Sequence, residues 1–305
     1  MMPLPVSVVI PTRDRPHLVA ATVDSILAGG EVPAEIVVID QSATAADLAI
    51  GGASPSGCRI RHVAVASRGL SRARNEGVRL AECDLIVFVD DDMLADPGWL
   101  RAIVEPLMAD AALIVTGRVL PGPRESPGGF VPALVDGAAP AEFRGRLDRD
   151  VLAGGNMAIR RTTFDAVGGF DPRLGAGSLC PAAEDNDLGY RLLEAGYRIR
   201  YVPDALLYHR AWRPAGAYLS VRYAYGLGKG GYYAKHMKAS TRHFLRRLGS
   251  DLRHRVVRAC RRVLRPRLAA GEMVYFVGVL VGMSRWRFRR HDESGARRAG
   301  DSRVL

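Results

Sequence analysis

Three consecutive carboxylates, Asp90-Asp91-Asp92, follow the apolar run Leu85-Ile86-Val87-Phe88-Val89. In an extended segment alternate side chains point the same way, which puts Asp90 and Asp92 on one face about 7 Å apart. Two carboxylates so placed suit a hard divalent cation and the diphosphate it carries, one through the metal and one through water or a ribose. A solvated acidic turn leading to Asp96 and Pro97 is the plain alternative, and the position directly after a buried run favours the metal. Glu184-Asp185 opens an expected helix, where the dipole alone favours acidic residues. The Gly175-Ala176-Gly177-Ser178 loop before it leaves room for a polymeric or lipid-linked sugar, whose hydroxyl a carboxylate there could deprotonate. His209 follows a short apolar strand; alone, such a histidine is more often structural than a ligand. Arg13, Arg72 and Arg74 offer paired donors to phosphate oxygens, although among 40 arginines any one says little.

The elements that must hold these residues are those of an α/β sheet. Val6–Ile10, Glu35–Ile39, Ile60–Val65 and Leu85–Val89 read as strands, and Pro16–Leu27 and Leu70–Leu80 as helices between them, the alternation of βαβ units. In such sheets ligands bind beyond the carboxyl ends of the strands. Those ends carry Thr12-Arg13-Asp14, Asp40 and the Asp90 triplet. A Pro/Gly-rich stretch from Pro121 to Gly137 reads as a surface excursion. Val151–Arg160 reads as a strand containing Gly154-Gly155-Asn156, Glu184–Ala195 as a helix stopped by Gly196, and Ile199–Val202 and Ala205–Tyr208 as closing strands.

With 305 residues, 48% hydrophobic and 25% charged, the chain is of ordinary globular composition, and a disulfide-dependent scaffold or general disorder is excluded. Cys58, Cys83, Cys180 and Cys260 form no CxxC pair, as expected of a reducing compartment. The first residues lack a basic, apolar leader, so no cleaved signal is expected. Charge divides unevenly: residues 1–209 hold 20 Lys and Arg against 27 Asp and Glu, a net of −7, and residues 210–305 hold 23 against 5, a net of +18. Leu245, Leu248, Leu252, Val256, Val263 and Leu264 recur at helical spacing with arginines between them, a basic amphipathic helix that Pro266 should end or kink. Met273–Met283 is uncharged and apolar but, at 11 residues, too short to span a bilayer.

Several segments together resemble glycosyltransferase family 2: Val6 to Thr12, Glu35 to Asp40, Ala73-Arg74-Asn75-Glu76-Gly77, Phe88 to Asp92, Gly154-Gly155-Asn156 with Gly168-Gly169-Phe170-Asp171, and Glu184 to Leu188, in that order over residues 5–210. The resemblance implies an α/β fold of GT-A type, an open, mostly parallel twisted sheet with flanking helices. Residues 1–212 would be the nucleotide-sugar-binding and catalytic domain, and 213–305 a basic helical C-terminal region. It implies Mg²⁺ or Mn²⁺ and inverting transfer. Pro11, Thr12, Arg13, Asp40, Arg74, Asp90, Asp91 and Asn156 would serve the donor, Asp92 with Asp90 and His209 the metal, and Asp185 would be the base with Glu184 beside it. Processive members carry a QxxRW motif; here Arg285-Trp286 has Gly282 in place of the glutamine, so transfer of a single sugar is expected.

The partners expected are a nucleotide-sugar donor, a glycan or lipid-linked acceptor of the cell envelope, and an anionic membrane met by the basic tail from the cytoplasmic side. A homo-oligomer is compatible with this, and nucleic acid is not expected, because phosphate binding needs no apolar stripe. A nucleotidyltransferase with the same sheet would want a Gly-rich basic signature after the first strand, where Pro11-Thr12-Arg13-Asp14 stands. A non-catalytic protein binding through the tail is the third reading.

Overall fold

A computed structural model describes residues 2–43, 52–53, 57–125, 127–237 and 240–301, with side chains for all of these except 52–53 and 289–301. The chain divides into two compact units, Met1–Pro172 with Asp185–Ala215, and Arg173–Glu184 with Gly216–Leu305.

The first unit runs β1 (Leu4–Thr12), α1 (Pro16–Leu27), β2 (Pro33–Asp40), β3 (Gly52–Ala53), β4 (Arg59–Ala64), α2 (Leu70–Leu80), β5 (Leu85–Val89), β6 (Met93–Ala95), α3 (Trp99–Ala109), β7 (Leu113–Pro121), β8 (Ala141–Phe143), β9 (Asn156–Arg160), α4 (Arg161–Ala166), α5 (Glu184–Glu194) and β10 (Arg198–His209). One mixed sheet has the order β3-β4-β2-β1-β5-β9-β7-β10-β6, with β8 on β10. Strands β4, β2, β1 and β5 are parallel, and β9 runs antiparallel between β5 and β7.

Both faces of the sheet's centre are covered, which is why β5 is an unbroken apolar run and β1 and β2 are buried over most of their length. Val6, Val8 and Ile10 of β1 pack with Val19, Val23 and Ile26 of α1 and Ile103, Val104 and Leu107 of α3. Val9 faces the other way, into a cluster with Val78, Phe88, Ile159, Phe164, Phe170, Leu188 and Leu192. Gly77 sets how closely α2 lies on β1, since a Cβ there would stand 2.2 Å from Val9 Cγ1. Asn75, two residues earlier, donates to Phe170 O at 2.8 Å and accepts from Phe170 N at 2.9 Å, fixing the Gly168-Gly169 turn against α2.

Three expectations change. Strand β9 begins only at Asn156, because Gly154-Gly155 form a turn that the Asn156 N to Ala153 O bond closes at 3.0 Å. The two closing strands are one, β10, with an irregularity between Val202 and Leu206 where Pro203 lacks an amide proton for the ladder. The basic helix ends before Pro266, at Arg261, so Val263 and Leu264 lie in the turn that follows it, and Pro266 opens the next helix.

The second unit holds α6 (Tyr218–His236), α7 (Thr241–Arg261) and α8 (Pro266–Asp301). Helices α6 and α8 meet backbone to backbone. A Cβ at Gly226 would lie 2.2 Å from Tyr275 O, at Gly230 2.1 Å from Val279 O, and at Gly282 2.1 Å from Leu227 O, so only glycines at this four-residue spacing let the axes approach so near. Around the pair, Glu272 of α8, 2% exposed, is held by Arg222 at 2.9 Å, Arg255 at 3.0 Å and Arg262 at 2.8 Å. Not every arginine of α7 faces water: Arg247 is buried and donates to Tyr232 Oη at 2.7 Å, and Arg255 lies over the Tyr275 ring.

Candidate active site

The carboxyl ends of β1 and β5 and the last residue of β10 meet in one cluster. Asp91 and Asp92 occupy a turn between β5 and β6, so the triplet is not extended, and its three side chains take three directions. Asp91 points inward, accepting from Thr12 Oγ1 at 2.7 Å and from Arg15 Nη1 at 3.1 Å. Asp92 accepts from the same Arg15 Nη1 at 3.1 Å, and its Oδ1 lies 3.3 Å from His209 Nε2. Asp90 turns to the opposite side, where Arg74 Nη2 donates to its Oδ1 at 2.6 Å.

Burial and charge set the protonation states. Burial, with the neighbouring charge of Asp92, pushes the Asp91 carboxyl up to about 6 against the pull of Arg15 and the Thr12 hydroxyl. Asp92 is as deeply buried, yet its hydrogen bond and ion pair with His209, with Arg15 behind them, keep it below the usual carboxylate range. Burial opposes protonation of His209, and Asp92 and Asp90 outweigh it, so the imidazole is raised.

On the Asp90 side a two-glycine step does the positioning. A Cβ on Gly155 would stand 2.2 Å from Asp90 Oδ2, and one on Gly154 would stand 3.0 Å from Arg74 Nη1 and 3.1 Å from Asp185 Cβ. Glycine at both positions therefore lets Asp90, Arg74 and Asp185 close on one point. Arg74 is fixed there by Asp90 and by Phe170, whose ring centroid is 5.1 Å from its guanidinium carbon. Asp185 stands in the first turn of α5, where its Oδ1 accepts from Asn186 N at 2.7 Å. Asp187, two residues on, is fully buried and paired with Arg191 at 2.8 Å, which ties α5 to the carbonyl of Gly169.

Asp92 and His209 suit a divalent ion. His209 Nδ1 lies 3.1 Å from Pro132 O, and in the neutral ring a proton donated there would leave the Nε2 lone pair for a metal ion shared with Asp92. Oxygen and imidazole donors of this kind suit Mn²⁺ and, less strictly, Mg²⁺. Among the described residues no three His, Cys, Asp or Glu side chains are grouped to hold a metal ion by themselves. A metal here would take the rest of its coordination from water and from phosphate oxygens.

The remaining expected residues are placed differently. Pro11 is buried within β1, in register with Ile39 of β2. Asp40 is buried at the end of β2, accepting from Ser42 N at 2.8 Å and lying 3.0 Å from His62 Nε2; burial would raise its carboxyl, but the Ser42 and His62 bonds hold it low. Arg13 is half exposed and pairs with its neighbour Asp14 at 3.3 Å. Asn156 is corrected: it is fully buried, its Oδ1 accepts from Trp99 Nε1 at 2.9 Å and its Nδ2 donates to Arg118 O and Ala205 O at 2.9 Å each, so no proton remains for a donor sugar. Glu184 is 8% exposed and ends the segment counted with the helical unit. Arg15, which bridges Asp91 and Asp92, was missed. It stands just before Pro16 at the same strand end that singled out Thr12 and Arg13, and reading on to the helix start would have found it.

Known proteins resemble this chain in sequence and in fold. A model of the "Glycosyltransferase like family 2" matches residues 3–224. A pre-mycofactocin glycosyltransferase of Mycobacterium tuberculosis is 30% identical over 160 residues, which are 47% of this chain and 30% of that protein, so the chain spans under a third of that relative's length. A glucosyl-dolichyl phosphate glucuronosyltransferase of Haloferax volcanii is 28% identical over 216 residues, 67% of this chain and 69% of the other. Among solved structures, a mannosyltransferase of Pyrobaculum calidifontis in complex with GDP-Man and Mn²⁺ superposes with a TM-score of 0.57 at 18% identity, covering 92% of this chain and 89% of that one. GalNAc-T7 with UDP, GalNAc and Mn²⁺ gives 0.53 at 20% identity, covering 77% and 51%.

Proposed function

We propose, from the premise that the chain belongs to glycosyltransferase family 2, that it moves one sugar from a nucleotide-sugar donor to a hydroxyl of a glycan or lipid-linked acceptor, with inversion at the anomeric carbon. The observation that carries this is the closure of Asp90, Arg74 and Asp185 on the Gly154-Gly155 step, beside the buried Asp92–His209 pair.

Arg74 holds Asp90 toward the donor and adds positive charge there. Asp185 accepts the proton of the acceptor hydroxyl as its oxygen bonds to the anomeric carbon, on the face opposite the diphosphate, and the bond from that carbon to the diphosphate oxygen breaks. A nucleoside diphosphate departs with the electron pair. Asp92 and His209, with Asp90 nearby, would hold Mg²⁺ or Mn²⁺, which would supply Lewis-acid neutralisation of that leaving charge. Arg15 keeps Asp91 and Asp92 together through the cycle, and Thr12 fixes Asp91.

The exposed surface of the second unit supports a membrane setting, the synthesis of cell-envelope glycan at the cytoplasmic face. Met273, Val277 and Leu280 are 54%, 49% and 51% exposed on one stripe of α8, and Val263 and Leu264, in the turn before it, are 70% and 94% exposed. Exposed arginines flank them. Pro266–Phe288 is by length and composition apolar enough to cross a bilayer. Glu272 argues for lying on the surface instead: a crossing α8 would carry its ion cluster, with arginines of α6 and α7, into hydrocarbon at a cost of several kcal/mol.

Release of nucleoside diphosphate from a panel of nucleotide sugars with Mn²⁺ tests the activity. One donor should turn over, and Asp185→Asn should lower kcat by about 100-fold or more with donor Kd unchanged. No turnover with any donor and acceptor extract would overturn the reading, and a Kd that weakens in step with kcat would make Asp185 a binding residue.

A further inference from the structure

Helix α5 carries Asp185 in its first turn and is buried along one side by Leu188 and Leu192, which pack with Phe164 and Phe170. Apolar contacts of this kind are non-directional and tolerate sliding along a helix axis. What fixes the register is polar. On the same helix the Arg191 guanidinium uses both of its edges. Its Nε and Nη2 donate to Asp187 Oδ2 at 2.9 and 2.8 Å, Nη2 also donates to Gly169 O at 2.5 Å, and Nη1 donates to Val167 O. Asp187 is fully buried, and the planar guanidinium gives the pair a direction that an ammonium would not.

The two carbonyls belong to a turn with one conformation. Gly168 and Gly169 have φ of +77° and +63°, and their amides close α4, Gly168 N donating to Asp165 O at 2.9 Å and Gly169 N to Phe164 O at 3.0 Å. A Cβ on Gly169 would stand 2.9 Å from Asn75 Oδ1 and from Phe164 Cε1. The Asn75 amide pairs with both backbone polar groups of Phe170, and Asn75 follows Arg74, which holds Asp90. One continuous path therefore runs from α5 through Arg191 to the turn, through Asn75 to α2, and so to the Arg74–Asp90 pair, all within the first unit.

We propose that Arg191 is a positioning residue for the catalytic base, setting α5 in register with the Gly168-Gly169 turn that Asn75 fixes to α2. This rests on the reading of Asp185 as the base. Asp185 and Arg74 flank Gly154 so closely that a Cβ there would stand 3.1 Å from Asp185 Cβ and 3.0 Å from Arg74 Nη1, so a shift of α5 moves the carboxylate directly against the donor side. A misplacement of about 1 Å costs on the order of 100-fold in rate. Thr12, Arg15 and Asp92 are held through Asp91 and His209 instead, so freeing α5 separates rate from donor binding.

The test uses the full chain with Arg191→Lys, which keeps the charge opposite Asp187 but cannot reach both carbonyls, and Asn75→Ala, which frees the turn from α2. Each should lower kcat by about tenfold or more, while the Kd of UDP or GDP with Mn²⁺, whichever binds the parent, stays within about threefold. Both act through one turn, so the double variant should lose no more than about threefold beyond the worse single one, where independent effects would multiply. Amide exchange in Arg191→Lys should speed up over residues 185–194 and stay unchanged over β1 and β5. Glu35→Gln, which disturbs a buried carboxylate held by Ser7 and Arg61 near the start of β2, should lower the melting temperature and leave kcat unchanged. A parental kcat in Arg191→Lys overturns the proposal. So does a loss of nucleotide affinity equal to the loss in kcat, multiplied effects in the double variant, or an equal fall of kcat in Glu35→Gln. Asp185→Asn, measured alongside, distinguishes two failures: full kcat there removes the base and the proposal with it, whereas lost kcat there beside a parental Arg191→Lys removes the positioning role alone.

Discussion

At the residue scale, the three consecutive aspartates face three different sets of partners that spacing alone could not distinguish. Asp91 is locked inward by Thr12 and Arg15, Asp90 is turned toward Arg74 and the two-glycine step, and Asp92 faces His209. Asp92→Asn should abolish Mn²⁺-dependent binding of nucleoside diphosphate, measured by calorimetry, and with it turnover. Mn²⁺ titrations that coincide for variant and parent would remove Asp92 from the metal site. Glu35 is a different kind of buried acid. Burial pushes its carboxyl up, but the Ser7 hydroxyl at 2.6 Å, the Glu82 amide at 2.5 Å and the Arg61 and Arg59 guanidiniums win, and the group is lowered. A lowered carboxyl contributes stability that is full above its unfolded value, about 4.3, and lost as pH falls through the folded one. Glu35→Gln should therefore cost about 1–3 kcal/mol near neutral pH, and the gap in melting temperature should shrink as pH drops below about 4. A gap that does not change with pH would contradict this.

At the element scale, glycine has opposite meanings in two helices of the second unit. A Cβ on Gly282 would meet Leu227 O at 2.1 Å, whereas Gly249 of α7 has open space around it. Gly249→Ala should stabilise the protein by up to about 1 kcal/mol, through helix propensity alone. Gly282→Ala has the same propensity gain but must spread α6 from α8, for a net loss of about 1–3 kcal/mol. Chemical denaturation of the two variants side by side checks the sign of each, and equal effects would deny the close approach. The same logic explains why helix α2 has Gly77 above Val9 and why Gly154-Gly155 precede β9: in each case the missing side chain makes room for another group to approach.

At the scale of the whole molecule, the surface of the second unit offers arginine and exposed aliphatic side chains together. Binding to anionic vesicles should fall as salt rises, since each basic residue near the surface adds roughly 1 kcal/mol that ions screen, and a salt-resistant remainder should come from apolar insertion. Leu264→Glu, at a 94% exposed turn position, should reduce that remainder without altering the fold. Co-sedimentation of the full chain with anionic and neutral vesicles at low and high salt decides it. Equal, salt-resistant binding to both kinds would indicate a crossing α8 and overturn surface docking.

The sequence alone determined the strand cores, because a doubly covered sheet requires unbroken apolar runs: Leu85–Val89 forms β5 and Pro16–Leu27 and Leu70–Leu80 form α1 and α2 with the expected ends. It also singled out the polar strand ends, since chain direction puts Thr12 and Asp90 where a parallel sheet opens. Tertiary structure decided what each of those residues faces. Asn156 and Asp91 look as available in sequence as Asp92, and only packing against Trp99, Ala205, Thr12 and Arg15 consumes their hydrogen bonds. The C-terminal glycines prove to be contact points, which a close approach of two segments distant in sequence decides and local pattern does not. The 173–184 segment belongs with helices that begin more than thirty residues later, and local pattern contains no term for such a contact. Periodicity reports which face of an element is buried; which partner buries it is fixed only when the chain closes on itself.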